Sequence, residues 1–240
     1  MEPPDTVEAE PVQTNNSLQS EPTPRQTRRR IIARARWAEI TLGVVLVLYA
    51  ILAMFAHRYA YFHWDLSLGG AIQSIDAPGF RAMMVGVSAL GSGWLPFSIV
   101  ILTSVSLIAV GYRVEGFVCG IGVGLGVLVN IWLKWLIGRP RPVEPLVHVT
   151  TRVLHESFPS GHVSFFVEFF GFLLFLTYVL TRPGLFRRVS YVVLWVLLAL
   201  VGVSRIYLGA HWPSDVVGAY LAGGLWLMLM IEVYRRIARE

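Results

Sequence analysis

Long apolar runs separated by short polar segments make up most of the chain after residue 36. A bilayer core is about 30 Å thick, so a helix needs roughly 20 apolar residues to cross it. Each run is apolar around most of its circumference, unlike the single apolar stripe of a helix on a soluble protein. The pattern predicts six transmembrane helices, at 37–56, 94–112, 116–137, 163–180, 189–208 and 216–233. The predicted fold is therefore an all-α, polytopic membrane protein.

Two details of the apolar runs carry their own predictions. Before the second span, Phe80, Met83, Met84 and Val87 recur at helical spacing, which predicts an interfacial or re-entrant helix or an extension of that span. Within the third span, four glycines alternate with apolar residues between positions 120 and 126. No strand precedes them, as a nucleotide loop would require, so we expect them to allow close helix packing.

The first thirty residues differ from the rest of the chain. They are poor in apolar side chains and contain five prolines, so they cannot bury enough surface to offset the entropy of ordering. We predict a disordered cytoplasmic tail over 1–30 and a six-helix membrane domain over 31–240. The basic end of the tail has two interpretations, a nucleic-acid arm or the cytoplasmic flank of the first span. The flank is favoured, and no nucleic-acid partner is expected.

Composition and charge agree with the membrane interpretation. Only 15% of the 240 residues are charged and 55% are hydrophobic, whereas soluble domains carry about 25% charged residues. With six spans, 13 of the 20 basic residues lie on the side of the N-terminus. Because Arg and Lys concentrate in cytoplasmic loops, both termini are predicted to be cytoplasmic, in a plasma or inner membrane. The net charge of +5 is then mainly a signal of topology.

Three clusters of charged and hydrogen-bonding residues lie at the ends of the predicted spans. They cover 134–142 at the end of the third span, 158–162 at the start of the fourth, and 204–215 between the fifth and sixth. Successive spans cross the membrane in opposite directions, so all three clusters fall on the extracellular or periplasmic face. The sequence predicts one site there.

The residue types in these clusters suit a phosphate-like anion. Lys134, Arg141 and Arg205 supply three cations; the Arg fork matches phosphate oxygens in pairs, and Lys adds a point charge. Ser160 and Gly161 lie where the fourth span begins, and the first turn of a helix offers unpaired N–H groups to an anion. We therefore expect these residues to bind the anion.

Two histidines and an aspartate are the candidate catalytic groups. His162 and His211 are suited to nucleophilic attack and proton transfer. Asp215 lies four residues after His211 and is expected to hold one ring nitrogen of that histidine and fix its tautomer.

Two further residues are candidates for supporting roles. Arg139 is predicted to be an additional charge, for a second phosphate or a lipid headgroup. Asn130 lies one helical turn before Lys134, and we expect it to help fix the Lys134 amine. The sequence has no clear cluster of metal ligands, and its one cysteine, Cys119, excludes an internal disulfide.

The complete pattern is Lys134-x6-Arg141-Pro142, Pro159-Ser160-Gly161-His162 and Ser204-Arg205-x5-His211-x3-Asp215. It resembles the three-part motif of the type 2 phosphatidic acid phosphatase and vanadium haloperoxidase superfamily, over about residues 37–236. More weakly, the stretch from Trp64-Asp65 to Leu90-Gly91-Ser92 resembles the first loop of bacterial members.

This resemblance implies a membrane lipid phosphatase that needs no metal or other cofactor. It implies that His211 attacks phosphorus to form a phosphohistidine and that Asp215 orients His211. It implies that His162 first protonates the leaving oxygen and then activates water. It implies that the phosphoryl oxygens are bound by the other motif residues, Lys134, Arg141, Ser160, Gly161 and Arg205. The expected partners are the bilayer and a lipid phosphate, with phosphatidic acid, phosphatidylglycerol phosphate and undecaprenyl diphosphate as candidates.

Other functions stay open at this point. A lipid phosphotransferase of the same superfamily would pass the phosphoryl group to an alcohol instead of water. A catalytically silent membrane scaffold or transporter is disfavoured because the motif residues are complete. A haloperoxidase is disfavoured because six spans do not suit that soluble branch. No pattern in the sequence predicts an oligomeric state.

Overall fold

The computed structural model describes residues 24–150 and 155–239, with no side-chain description for residues 24–35, 37 and 38. All regular elements in these residues are α-helices, which confirms the predicted all-α class. The eight helices of this part of the chain are α1 (Pro24–Arg58), α2 (His63–Gln73), α3 (Phe80–Ala89), α4 (Leu95–Ala109), α5 (Arg113–Ile137), α6 (Gly161–Leu180), α7 (Leu185–Tyr207) and α8 (Pro213–Ile237).

Five of these helices are long and apolar enough to cross a membrane, namely α1 from Glu39 onward, α5, α6, α7 and α8. They match five of the six predicted spans. The remaining prediction, 94–112, corresponds to α4, whose 15 residues rise only about 22 Å. The helix is shorter than the apolar run because Pro96 lies in its first turn and Gly111, with φ of 99°, follows its end. Gly116 faces Ile108 and Gly120 faces Ser104, so α4 lies antiparallel to α5.

The predicted tail falls mostly on residues 1–23, which lie outside the described residues. The helix α1 begins at Pro24, so residues 24–30 belong to this helix and not to the tail. Proline suits the first turn of a helix because its fixed φ is helical and its missing N–H has no partner to lose.

Two short helices lie between the first two predicted spans. The segment with Met84 forms a separate helix, α3, and not an extension of α4. It packs against α7, where the Ser204 hydroxyl donates a hydrogen bond of 2.7 Å to the Met84 carbonyl. The helix α2 is not predicted from the sequence. Its Gln73 amide donates to the carbonyl oxygens of His148 and Tyr207 at 2.7 and 3.2 Å, which ties α2 to the end of α7.

The helix α6 lies at the centre of the packing, in contact with α5, α7 and α8. Its side chains are buried around most of its circumference, as expected for a helix that is apolar on all sides. Phe166 and Phe172 are completely buried in the core. The beginning of α6 at Gly161 is therefore fixed by packing on several sides.

The glycines of α5 make close contacts, as predicted, except for Gly124. Gly120 faces Ser104 of α4, Gly122 faces Met230 of α8, and Gly126 faces Glu168 of α6. Gly124 faces open space, so close packing does not explain it.

Replacement of Gly116 with Ala should lower the thermal unfolding temperature of the protein in detergent. A Cβ atom at this position would lie 2.6 Å from the Ser104 carbonyl oxygen, and a backbone atom cannot turn away. Overpacking of this kind costs about 1–3 kcal/mol. Gly124→Ala in the same helix is the matched control, because nothing lies within 4 Å of its added Cβ. Equal unfolding temperatures for the two variants would contradict close packing of α4 against α5.

Candidate active site

The ends of four long helices meet around the predicted site residues. Lys134 lies in the last turn of α5 and Arg205 in the last turn of α7, while α6 begins at Gly161 and α8 at Pro213. Backbone hydrogen bonds join the three sequence clusters: the Ser157 N–H donates to the Arg139 carbonyl, and the Ser160 N–H to the Asp215 carbonyl. The structure thus brings the three predicted clusters together.

His211 occupies the loop between α7 and α8 and is almost completely buried, with 3% of its surface exposed. Its Nδ1 lies 3.4 Å from Asp215 Oδ2. On the opposite side of the ring, Nε2 lies 3.2 Å from Nη1 of Arg141. A proton on Nδ1, facing the carboxylate, leaves the lone pair of Nε2 toward the cationic side of the site. This is the orientation that a nucleophilic histidine requires.

Asp215 is held by more partners than His211 alone. Its Oδ2 accepts hydrogen bonds from the Ser157 hydroxyl and, at 2.9 Å, from the Trp212 N–H. Its Oδ1 accepts a hydrogen bond of 2.5 Å from Arg139 Nη1. The carboxylate is therefore fixed in position by three donors before it meets His211.

Arg139 does not face an open subsite, so the interpretation as a ligand for a second phosphate or a headgroup is wrong. Its guanidinium is completely buried and pairs with two carboxylates, Asp215 at 2.5 Å and Asp65 of α2 at 2.9 Å. Its Nε donates to the Tyr59 and Ala60 carbonyls at 3.3 and 3.2 Å. Burial of a charge without water requires such pairing. Arg139 therefore supports the site by holding the two carboxylates in position.

Asp65 is the counterpart of Arg139 and is also completely buried. Its carboxylate accepts hydrogen bonds from the N–H and the hydroxyl of Ser214 in the first turn of α8, both at 2.8 Å. It also accepts from the Phe62 N–H at the start of α2, at 2.9 Å. Asp65 thus joins α2 to α8 beside Asp215.

The three predicted anion-binding cations are held by protein oxygens. Lys134 Nζ donates to the carbonyls of Glu156 and Ser157 at 2.8 and 3.0 Å. Arg141 donates from Nε to the His155 carbonyl and from Nη1 to the Ala210 carbonyl, at 2.5 and 2.6 Å. Arg205 Nη1 donates to the Ser88 hydroxyl at 2.5 Å. Each side chain is fixed by neutral acceptors, which leave its positive charge available to an anion.

The first turn of α6 provides further donors. Ser160 is the residue before the helix, as predicted, but its hydroxyl makes no capping hydrogen bond. The Ser160 hydroxyl and Arg205 Nε are both buried and find no hydrogen-bond partner among the described residues. Buried polar atoms are rarely left unpaired. Two such donors beside the free N–H groups of a helix start fit an oxyanion.

His162, in the first turn of α6, is oriented by the loop before α4. Its Nε2 lies 2.9 Å from the Ser92 hydroxyl, which donates its own hydrogen to the Ser88 carbonyl at 2.9 Å. Ser92 therefore accepts a hydrogen from Nε2, which fixes the orientation of the ring. Gly91 allows this approach, because a Cβ there would lie 2.7 Å from the His162 ring.

Asn130 does not hold the Lys134 amine, so this expectation is wrong. Its Nδ2 donates to the Ser164 hydroxyl of α6 at 3.0 Å, whereas backbone carbonyls already bind the amine. Asn130 joins α5 to α6 one turn below Gly161.

The positive groups around His211 lower its pKa. Burial, followed by the charges of Lys134, Arg141 and Arg205, lowers the pKa of His211 well below its ordinary value of 6.5. An imidazolium in this position would be desolvated and repelled by its neighbours. His211 is therefore neutral at neutral pH, in the form that can attack phosphorus.

Three residues of this site have roles in the structure that are not predicted from the sequence alone. Asp65 and Ser92 lie in the stretch that weakly resembles the first loop of bacterial members, and this is the signal that could have found them. Ser157, which binds Asp215, precedes the second motif and carries no recognisable pattern. Among residues 24–150 and 155–239, no group of three His, Cys, Asp or Glu side chains is arranged to hold a metal ion.

Comparisons with known proteins show which family this chain resembles. The sequence model of the PAP2 superfamily matches residues 116–239. Phosphatidylglycerophosphatase B of Bacillus subtilis is 28% identical over 193 residues, which cover 80% of this chain and 93% of that protein. An undecaprenyl-diphosphatase of Sulfolobus acidocaldarius is 26% identical over 64% of this chain and 70% of that protein.

A solved structure shares the fold. The crystal structure of a transmembrane PAP2-type phosphatidylglycerolphosphate phosphatase from Bacillus subtilis matches with a TM-score of 0.71 and 25% sequence identity. The match covers 82% of this chain and 96% of that one.

Replacement of Asp65 with Asn should strongly lower the thermal unfolding temperature, because it removes one of the two carboxylates that Arg139 pairs with. Breaking a buried ion pair costs about 3–5 kcal/mol, since the remaining charge is left without its partner. Glu232→Gln, which removes an exposed pair with Arg236, is the control and should have almost no effect. Unfolding temperatures for Asp65→Asn and Glu232→Gln that both match the unmodified protein would refute the role of the buried pair.

Proposed function

The chain belongs to the PAP2 superfamily of membrane phosphatases, and we propose that it hydrolyses a lipid phosphate through a phosphohistidine on His211. The observation that carries this proposal is the position of His211, with Nδ1 at the Asp215 carboxylate and Nε2 at the Arg141 guanidinium. A neutral, oriented histidine at the edge of a cationic pocket is suited to attack phosphorus.

The reaction has two steps. In the first, His211 Nε2 attacks phosphorus and the bond to the lipid oxygen breaks, while His162 gives that oxygen a proton. In the second, His162 takes a proton from water as the water attacks the phosphohistidine. Inorganic phosphate leaves and His211 is restored. Asp215 stabilises the positive charge that His211 acquires in the first step.

The cations carry the electrostatic part of catalysis. Lys134, Arg141 and Arg205 bind the phosphoryl oxygens, together with the Ser160 hydroxyl and the Gly161 N–H. Phosphoryl transfer depends mainly on positioning and on neutralising charge at these oxygens. Protein cations take the part that magnesium has in kinases, so the proposed mechanism uses no metal or other cofactor.

The proposed substrates are phosphatidic acid, phosphatidylglycerol phosphate and undecaprenyl diphosphate. The relatives described above act by name on the second and third of these classes. In the proposed orientation both termini are cytoplasmic and the site opens at the extracellular or periplasmic face. A phosphotransferase would use the same first step and pass the phosphoryl group to an alcohol in the second.

Replacement of His211 with Ala should abolish phosphate release from all three lipids and the trapping of a labelled phosphoenzyme. The assay is run with detergent-solubilised protein in excess chelator. His162→Ala is the informative partner variant: with p-nitrophenyl phosphate, whose leaving group needs no proton, it should still form the phosphoenzyme but hydrolyse it about 10²–10⁴-fold more slowly. Full activity of His211→Ala would refute the nucleophile, and a strict need for added magnesium would refute the metal-free mechanism.

The pH profile of kcat/KM should fall on its acid side, because His211 must be neutral to attack phosphorus. His211 loses its nucleophilic lone pair when it is protonated as the pH falls. Because its pKa is lowered, the acid limb should lie well below pH 6.5. Removal of a neighbouring cation in Arg141→Gln should move this limb to higher pH. An acid limb at or above 6.5 in the unmodified protein would contradict the proposed environment of His211.

A further inference from the structure

Glu168 is a buried carboxyl group that the mechanism does not use. It lies within α6 and only 3% of its surface is exposed. Its Oε2 is buried and finds no hydrogen-bond partner among the described residues. A carboxyl at membrane depth is costly and typically marks a function, since hydrocarbon offers it no partner. An unpaired group of this kind points to a ligand.

A cavity of about 370 Å³ between α4, α5 and α6 connects this carboxyl with the phosphate site. Gly91 and Gly161 line the end of the cavity that is nearest to the catalytic residues. Glu168 lines the cavity further along α6. Most of the remaining lining is apolar, for example Phe97 and Val127. The cavity therefore suits the part of a lipid that follows its phosphate.

A second cavity, of about 260 Å³, lies on the other side of Glu168, between α1, α5 and α8. The hydroxyl of Tyr49, which lines it, is also buried and unpartnered among the described residues. Asn130 and Ser164 line both cavities. Gly126 makes room for the carboxyl, because a Cβ atom there would overlap it. A group of polar side chains thus lies in otherwise apolar surroundings.

The position of these side chains relative to the phosphate site selects the ligand. Ser164 and Glu168 follow Gly161 by one and two helical turns, about 5 and 10 Å along the axis. A phosphate at the Gly161 N–H places the first part of the lipid beside them. Among the described residues Glu168 has no cationic partner, so at membrane depth its carboxyl is protonated and can donate a hydrogen. In phosphatidic acid the part next to the phosphate contains ester oxygens, which accept, whereas in a polyprenyl monophosphate it is hydrocarbon only. The Glu168 carboxyl would be left unpaired by a prenyl chain, and unpaired buried groups lower affinity.

We propose that Glu168, together with Asn130 and Ser164, forms a subsite for the ester-bearing backbone of a glycerophospholipid, and that the protein therefore prefers such lipids to polyprenyl phosphates. This inference rests on the proposed function, because the subsite is defined by its distance from the bound phosphate.

The test compares three substrates on one set of variants. Dioleoyl phosphatidic acid and undecaprenyl phosphate are assayed in the same mixed micelles, and p-nitrophenyl phosphate reports the catalytic residues without a lipid. Glu168→Leu should lower kcat/KM for phosphatidic acid about tenfold, the value of one hydrogen bond. It should leave p-nitrophenyl phosphate unchanged and should not lower kcat/KM for undecaprenyl phosphate. Glu168→Gln, which keeps hydrogen bonding, should retain most of the preference.

Val127→Leu is the matched control, because it narrows the same cavity without changing a polar group and should affect both lipids alike. An equal loss on both lipids in Glu168→Leu, or no loss at all, would overturn the subsite. An unmodified protein that hydrolyses undecaprenyl phosphate but not phosphatidic acid would overturn the subsite and leave the phosphatase intact. An unmodified protein inactive on all three substrates, and also on phosphatidylglycerol phosphate and undecaprenyl diphosphate, would instead refute the proposed function.

Discussion

The site depends on the two ion pairs that the buried guanidinium of Arg139 makes. The guanidinium pairs with Asp65 of α2 and Asp215 of α8, and all three side chains are shielded from water. A carboxylate buried without a cation at this depth would carry a large desolvation cost. With Arg139 in place, Asp215 can remain charged beside His211 and hold its ring. The position of His211, the proposed nucleophile, is therefore set by contacts that lie behind the site.

This pairing also explains how the site remains positive. Arg139 satisfies the two buried carboxylates, and within the described residues neither Arg141 nor Arg205 takes part in an ion pair. Both are held by neutral oxygens, so their charges act on whatever occupies the pocket. The same field favours a bound oxyanion and disfavours protonation of His211. One arrangement of charge thus serves binding and nucleophilicity together.

The sequence predicts the long apolar helices and the convergence of the motifs because both follow from local pattern and from the number of crossings. It does not predict the partners of Arg139, since Asp65 lies 74 residues away and no periodicity connects them. The Asn130 expectation failed for a related reason. Helical spacing correctly placed it beside Lys134, but a hydroxyl on the neighbouring helix α6 competes for its amide. The helix α4 is shorter than its apolar run because a proline and a glycine limit it.

The hydrogen bond between His162 and Ser92 joins the segment that contains the motifs to an earlier part of the chain. The segment 116–239 contains every motif residue, yet Ser92, which contacts His162, and Asp65, which pairs with Arg139, both precede it. Part of the support for the site therefore lies outside the segment that contains the motif residues. A chimera that exchanged only residues 59–112 between relatives would keep all reacting side chains and still change their reactivity. The segment 59–112 therefore acts on the site without contributing a motif residue.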